Sequence, residues 1–148
     1  MELKPVGIIH SPYKHTGHVP RVHDDAGAIS TIEVFDEFAT GLQDIEGFSH
    51  IVVIYWFHRS KGYHLLVKPP GEDSMRGLFA TRSPHRPCPL GLTVAELVSR
   101  KDNNLIVKGL DATDGTPLLD IKPYLPEDYD PHSVRIGWLE GRRHRRSN

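Results

Sequence analysis

From Ile29 to Phe35 apolar and polar side chains alternate, the period of a strand with one buried face, and Ile29 is offset from the face shared by Ile32 and Val34. Ile51 to Phe57, IVVIYWF, is unbroken, β-branched and aromatic, and predicts a strand buried on both faces. LLVKPP predicts a short strand stopped by its prolines, and GLFATR another. TVAELVSR and NLIVKGLDA flank the KDNN turn as a hairpin, and PLLDIKPYL is a last strand. Between these, LKPVGIIHSPY is extended, residues 13 to 28 form a long polar loop, and DEFATGLQDIEG offers one short helix at best, stopped by Gly47. PHSVRIGWLEG has no clear form. The pattern predicts a mainly β fold: one barrel-like sheet of six to seven short, mostly antiparallel strands, with one or two short helices. No strand runs into a glycine-rich turn and helix, so the phosphate cradle of doubly wound folds is missing.

Composition narrows the class. Glycine and proline supply 25 of 148 residues, which suits turns and short strands. The length predicts one domain over residues 1–140, with 141–148 as a short basic tail, disordered in solution. MELKPVG has no secretory h-region, no apolar run approaches a membrane span, and one cysteine precludes an internal disulfide; a cytoplasmic protein with no membrane partner is expected. Net charge is −1, although the tail GRRHRRSN alone carries four arginines. A mildly acidic body with a short basic tail is not the footprint of a dedicated nucleic-acid-binding domain, so no DNA partner is expected and any nucleic-acid contact is local.

Candidate chemistry sits in five places. His10, His15, His18 and His23 are too irregularly spaced for a zinc set, and no metal is expected. In the same loop Pro20 fixes the backbone beside Arg21, whose planar fork suits a carboxylate or phosphate. His58 and Arg59 end the apolar strand and so stand at a barrel rim. Asp120, Lys122 and Tyr124 alternate, and so share one face opposite Leu119, Ile121 and Pro123; proton handling and a solvated strand face are both open. The stretch FATRSPHRPCPLGLT, residues 79 to 93, holds Pro84, Pro87 and Pro89 around Arg82, His85, Arg86 and Cys88. Neither a helix nor a central strand tolerates that run of prolines. Side chains on so stiff a loop lose little entropy when they meet a ligand.

The runs VGIIHSPYK (6–14), VPR (19–21), GLQDIEGFSHIVVIYWFHR (41–59), KPP (68–70), GLFATRSPHRPCPLGLT (77–93) and LDATDGTPLLDIKPYLP (110–126) span roughly residues 6 to 126. In them the chain resembles the TrmO (YaeB/VirR-like) family of S-adenosylmethionine-dependent tRNA methyltransferases. The resemblance implies a homodimer that binds S-adenosylmethionine near the subunit junction. It also implies methyl transfer to N6 of N6-threonylcarbamoyladenosine, beside the tRNA anticodon. By position, Pro20, Arg21, His58, Arg59, Arg86, Leu97, Asp111, Ala112, Thr113 and Asp114 would contact the cofactor. Arg82, Ser83 and His85 would meet the acceptor, and Asp120, Lys122 and Tyr124 would serve catalysis. Cys88 departs from the asparagine usual between the two prolines of RPxPxG. Bacterial members often continue into a second small domain after KPYLP. Two other readings stand beside this one: the same cofactor with another RNA or small-molecule acceptor, or a non-catalytic cofactor- or metal-binding regulator.

Overall fold

The structure is a computed structural model that describes residues 1–15 and 27–142. Six strands close into a barrel: β1 (Gly7–His10), β2 (Ile29–Val34), β3 (His50–Trp56), β6 (Leu90–Lys101), β7 (Asn104–Lys108) and β8 (Thr116–Pro123). Their order is β1-β2-β7-β6-β3-β8, returning to β1, and every neighbouring pair is antiparallel. Closure leaves no barrel edge unpaired. Two further strands, β4 (Leu66–Val67) and β5 (Arg76–Gly77), pair as a small ribbon on the long β3–β6 excursion. The mainly β, single-sheet barrel expected from the sequence is what forms.

The period-two pattern fills the barrel. Ile9, Ile32, Ile51, Val53, Tyr55, Leu105, Val107 and Leu118 point inward and are essentially inaccessible. Ile29 is exposed while Ile32 and Val34 are buried, as its offset implied. The unbroken run in β3 is buried on one face only. Ile51, Val53 and Tyr55 enter the core, whereas Val52, Ile54 and Trp56 face outward beside Val94, Leu92 and Leu90 of β6. These six side chains, with Val98, form an apolar outer stripe in which Trp56, Leu90, Leu92, Val94 and Val98 are exposed and Val52 and Ile54 half-buried.

Other local expectations shift. GLFATR is not a strand: pairing ends at Gly77, and the fully buried Leu78 pulls Leu78–Ala80 into a 3₁₀ turn. DEFATGLQDIEG forms two 3₁₀ segments, Asp36–Leu42 and Ile45–Gly47, rather than one helix. In β8 a bulge opposite Ile54 and Tyr55 resets the alternation, so Leu118 rather than Leu119 faces the core, followed by Ile121.

One mouth of the barrel receives the ends of β1, β3 and β7 and the starts of β2, β6 and β8. Two glycines allow close approaches in the wall, Gly91 at this mouth and Gly7 at the start of β1, toward the opposite one. A Cβ at Gly7 would strike the backbone carbonyl of Glu33, and a Cβ at Gly91 would overlap the ring of its cross-strand partner Tyr55. Gly91→Ala should therefore destabilise the fold by about 1–3 kcal/mol through overpacking, read as a lower urea midpoint. An unchanged midpoint would show that the ring has room to move.

Candidate functional site

Tyr55 is the last inward residue of β3, and its hydroxyl reaches the mouth. There it donates to Asp111 Oδ1 at 3.1 Å, and Thr93 Oγ1 donates to the same oxygen at 2.6 Å. The two hydroxyls lie 3.0 Å apart, and each has one proton, so both protons go to the carboxylate. Burial first, and then the Asp111 charge, pushes the Tyr55 phenol well above its ordinary value. It stays protonated and keeps donating at any working pH. Asp111 is thus a half-buried carboxylate with one oxygen fixed by two donors and Oδ2 left to accept.

The rest of the β7–β8 connection is a latch. Asp114 Oδ1 accepts the Ser11 amide at 3.0 Å, and Lys14 Nζ lies 2.7 Å from Oδ2. Ser11 Oγ donates to the Ala112 carbonyl at 2.7 Å, and Thr113 Oγ1 lies 3.1 Å from Thr116 Oγ1. Ala112 itself is buried in the core. Gly115, at φ 82°, makes the turn into β8. The Lys14 bond first, and the Ser11 amide second, hold the Asp114 carboxyl below the usual carboxylate range.

The proline-rich loop braces itself from within. Arg86 Nη1 donates to the carbonyls of Thr81 at 2.9 Å, Ser83 at 3.2 Å and Leu78 at 3.4 Å, and its guanidinium lies over the Phe79 ring. Ser83 Oγ accepts the His85 amide, and His85 Nδ1 lies 3.1 Å from Ser60 Oγ. The Phe57 amide donates to the Pro89 carbonyl at 2.8 Å, tying the loop to the end of β3. Arg59 Nη1 donates to the Lys14 carbonyl at 3.2 Å, and the His58 ring meets Trp56 edge-on. Arg82 stands at the surface, yet its charge is felt at the Tyr55 hydroxyl.

A clasp beyond the barrel fixes the ribbon. Trp138 Nε1 donates to the Ala80 carbonyl at 2.8 Å, and the guanidinium groups of Arg76 and Arg142 each lie 5.2 Å from its ring. Arg142 Nε donates to the largely buried Glu72 at 2.7 Å and its Nη2 to the Pro70 carbonyl.

One mouth therefore gathers His58, Arg59, Arg82, Ser83, His85, Arg86 and Asp111 to Asp114. Leu97, Asp120, Lys122 and Tyr124 lie elsewhere. The Leu97 amide bonds Ser49 and its side chain packs against the core. Asp120 and Lys122 pair at 2.8 Å on the outer surface, and Tyr124 stands edge-on to His50 at the start of β3, about 20 Å of strand from the mouth. Pro20 and Arg21, like His18 and His23, fall outside the described residues. Among the described residues no three His, Cys, Asp or Glu side chains are grouped to hold a metal ion, and no helix is long and apolar enough to cross a membrane. Sequence reasoning passed over Tyr55 and Thr93, although an inward tyrosine at a strand end opposite a glycine is a legible signal. Lys14 and Ser11 carried no comparable one.

The profile of the tRNA-methyltransferase O N-terminal domain family matches residues 8–130. The chain is 53% identical over 143 residues to a probable S-adenosyl-L-methionine-binding protein of Pyrococcus abyssi, covering 96% of this chain and 78% of that one. It is 39% identical over 137 residues to the tRNA (adenine(37)-N6)-methyltransferase of Escherichia coli, covering 84% of this chain and 58% of that one. The fold superposes on the crystal structure of TrmO from Pseudomonas aeruginosa with a TM-score of 0.78 at 31% identity, covering 93% of this chain and 61% of that one.

The Asp114 latch carries its own pH signature. Its carboxyl is depressed in the folded state, so its contribution is complete above the unfolded carboxylate value of about 3.9 and is lost as pH falls through the lower folded value. Asp114→Asn should be less stable than wild type at pH 6, and the two should converge as pH falls below the ordinary carboxylate range. Parallel stability curves across that range, from urea melts, would remove the latch.

Proposed function

The chain belongs to the tRNA-methyltransferase O N-terminal domain family, and from that premise we propose that it transfers a methyl group from S-adenosylmethionine to N6 of N6-threonylcarbamoyladenosine beside the tRNA anticodon. Residues 1–140 form the methyltransferase domain in this reading, which acts in the cytoplasm, and the run 141–148 is an appended basic tail. The observation that carries it is the fixed Asp111 carboxylate at a mouth lined by Arg59 and Arg82. A ligand with ribose hydroxyls and both charge signs needs one rigid acceptor and separate cations, and this donor set supplies them.

S-adenosylmethionine supplies an electrophilic methyl group on a sulfonium, transferred by in-line displacement. Most of the rate then comes from holding the two reactants still. Asp111 Oδ2 would accept from the ribose, and the Tyr55 and Thr93 hydroxyls keep the carboxylate from turning. Arg86 acts through the loop, whose backbone it ties together, and Arg82 offers its fork to the threonyl carboxylate of the acceptor. The acceptor nitrogen must shed a proton. Asp120, with Lys122 paired to it, or Tyr124 takes that role.

Leu97 and Tyr124 are remote from the mouth of their own barrel, and Asp120 and Lys122 point to its outer surface, which supports a homodimer. The outer stripe of Val52, Ile54 and Trp56 against Val94, Leu92 and Leu90 is an exposed apolar patch of the kind that marks an interface. Trp56, whose ring meets His58, makes that stripe continuous with the mouth. Packing two copies face to face about a two-fold across the strands reverses one barrel against the other. It carries the Asp120 to Tyr124 edge of one copy toward the partner's mouth.

Calorimetry should detect S-adenosylmethionine binding, and Asp111→Asn should weaken it by about 1–3 kcal/mol. Labelled methyl should pass to tRNA that carries the threonylcarbamoyl group and not to tRNA that lacks it; transfer to both, or to neither, rejects the acceptor named here. Asp120→Asn should lower turnover with cofactor affinity intact. Leu92→Glu should sediment as a monomer where wild type sediments as a dimer, and an unshifted coefficient would clear the stripe of that role.

A further inference from the structure

Phe79 is the most exposed large apolar side chain near the mouth, 75% accessible. It is also held still. Leu78, buried to 1%, anchors the turn that carries it, and the Arg86 guanidinium lies 5.7 Å from its ring centre while bonding three carbonyls of the same loop. A phenyl ring fixed in water with one face backed by a cation has its free face ready for another flat ring. Tyr63, Leu65, Leu66 and Met75 on the same excursion are exposed as well.

Charge selects the kind of ring. Residues 59–86 hold six lysines and arginines against Glu72 and Asp73, a net +4 in a chain whose total is −1. Glu72 is already matched by Arg142 and Arg76. Arg59, Lys61, Lys68 and Arg82 therefore stand at the surface with little to balance them. S-adenosylmethionine carries a sulfonium, an ammonium and one carboxylate, so it can answer only one of these four cations. A polyanion with unpaired bases fits both features. Proteins that read single-stranded RNA combine an aromatic platform with cations that follow the backbone.

We propose that Phe79, backed by Arg86, stacks an unpaired base of the RNA loop that brings the acceptor to the mouth, with Lys61 and Lys68 meeting its phosphates. This rests on the RNA-acceptor reading above and adds a place where that RNA is gripped. Phe79 is too exposed for its replacement to unfold the barrel.

The test is fluorescence anisotropy of a labelled anticodon stem-loop RNA, titrated without cofactor, with a loop-free duplex of the same stem as control. Phe79→Ala should weaken stem-loop binding roughly 5- to 100-fold and leave the duplex unaffected. Phe79→Trp should restore it, and Phe79→Leu, apolar but without a π face, should not. Calorimetric affinity for S-adenosylmethionine should be equal in all four proteins. Unchanged stem-loop binding in Phe79→Ala overturns the proposal, as does full rescue by Phe79→Leu. So does an equal loss of cofactor affinity, which would make Phe79 a cofactor wall, or dissociation of the dimer, which would make it a subunit contact. If wild type binds the stem-loop through Phe79 but methylates no tRNA, the proposal stands and the acceptor reading falls. If Phe79→Ala methylates tRNA with an unaltered KM, the acceptor reading stands and the proposal falls.

Discussion

The Tyr55 ring lying flat against Gly91 is the contact on which the mouth depends. It lets an aromatic as large as tyrosine point into a six-stranded barrel that has little room for it, with its hydroxyl emerging at the rim. From there Asp111 is fixed by two neutral hydroxyl donors. A carboxylate held this way keeps its charge available to a ligand, whereas the Asp114 carboxylate, three residues on, is consumed by Lys14. The same short connection thus contains one carboxylate spent on architecture and one with an oxygen left to accept.

Much of this was legible in the chain. Alternation at Ile29 to Phe35, the KDNN turn and the β-branched run at Ile51 to Phe57 specify strands whatever surrounds them, and they dictate the barrel. Alternation could not say whether Val52, Ile54 and Trp56 would be covered, because a run apolar on both faces reads the same when one face awaits a partner. GLFATR misled because strand propensity is local, whereas the burial of Leu78 is tertiary. The bulge in β8 was equally hidden, since adding one unpaired residue leaves no mark on composition.

For the site, position in the ordered motifs was informative about which segments converge and less so about what each side chain does there. Arg86 is internal masonry of its loop, and Ala112, Thr113 and Asp114 contribute backbone and latch. Asp111 Oδ2 and the Arg82 guanidinium stand open at the mouth. Leu97 and Tyr124 lie at the far end of the same strands, and Asp120 and Lys122 on the outer surface of β8. Within one barrel they belong to a different neighbourhood, and a reversed second copy is what would unite the two.

The Trp138 sandwich, finally, determines where mechanical load enters the molecule. The chain leaving Arg142 is moored to Glu72 and Pro70 on the ribbon, and Trp138 to Ala80 at the foot of the proline-rich loop. A pull on the basic run that follows would be transmitted to that loop before it strained any rung of the barrel. A partner that held the residues after Arg142 would thereby gain a lever on the loop, with the barrel as its fixed fulcrum.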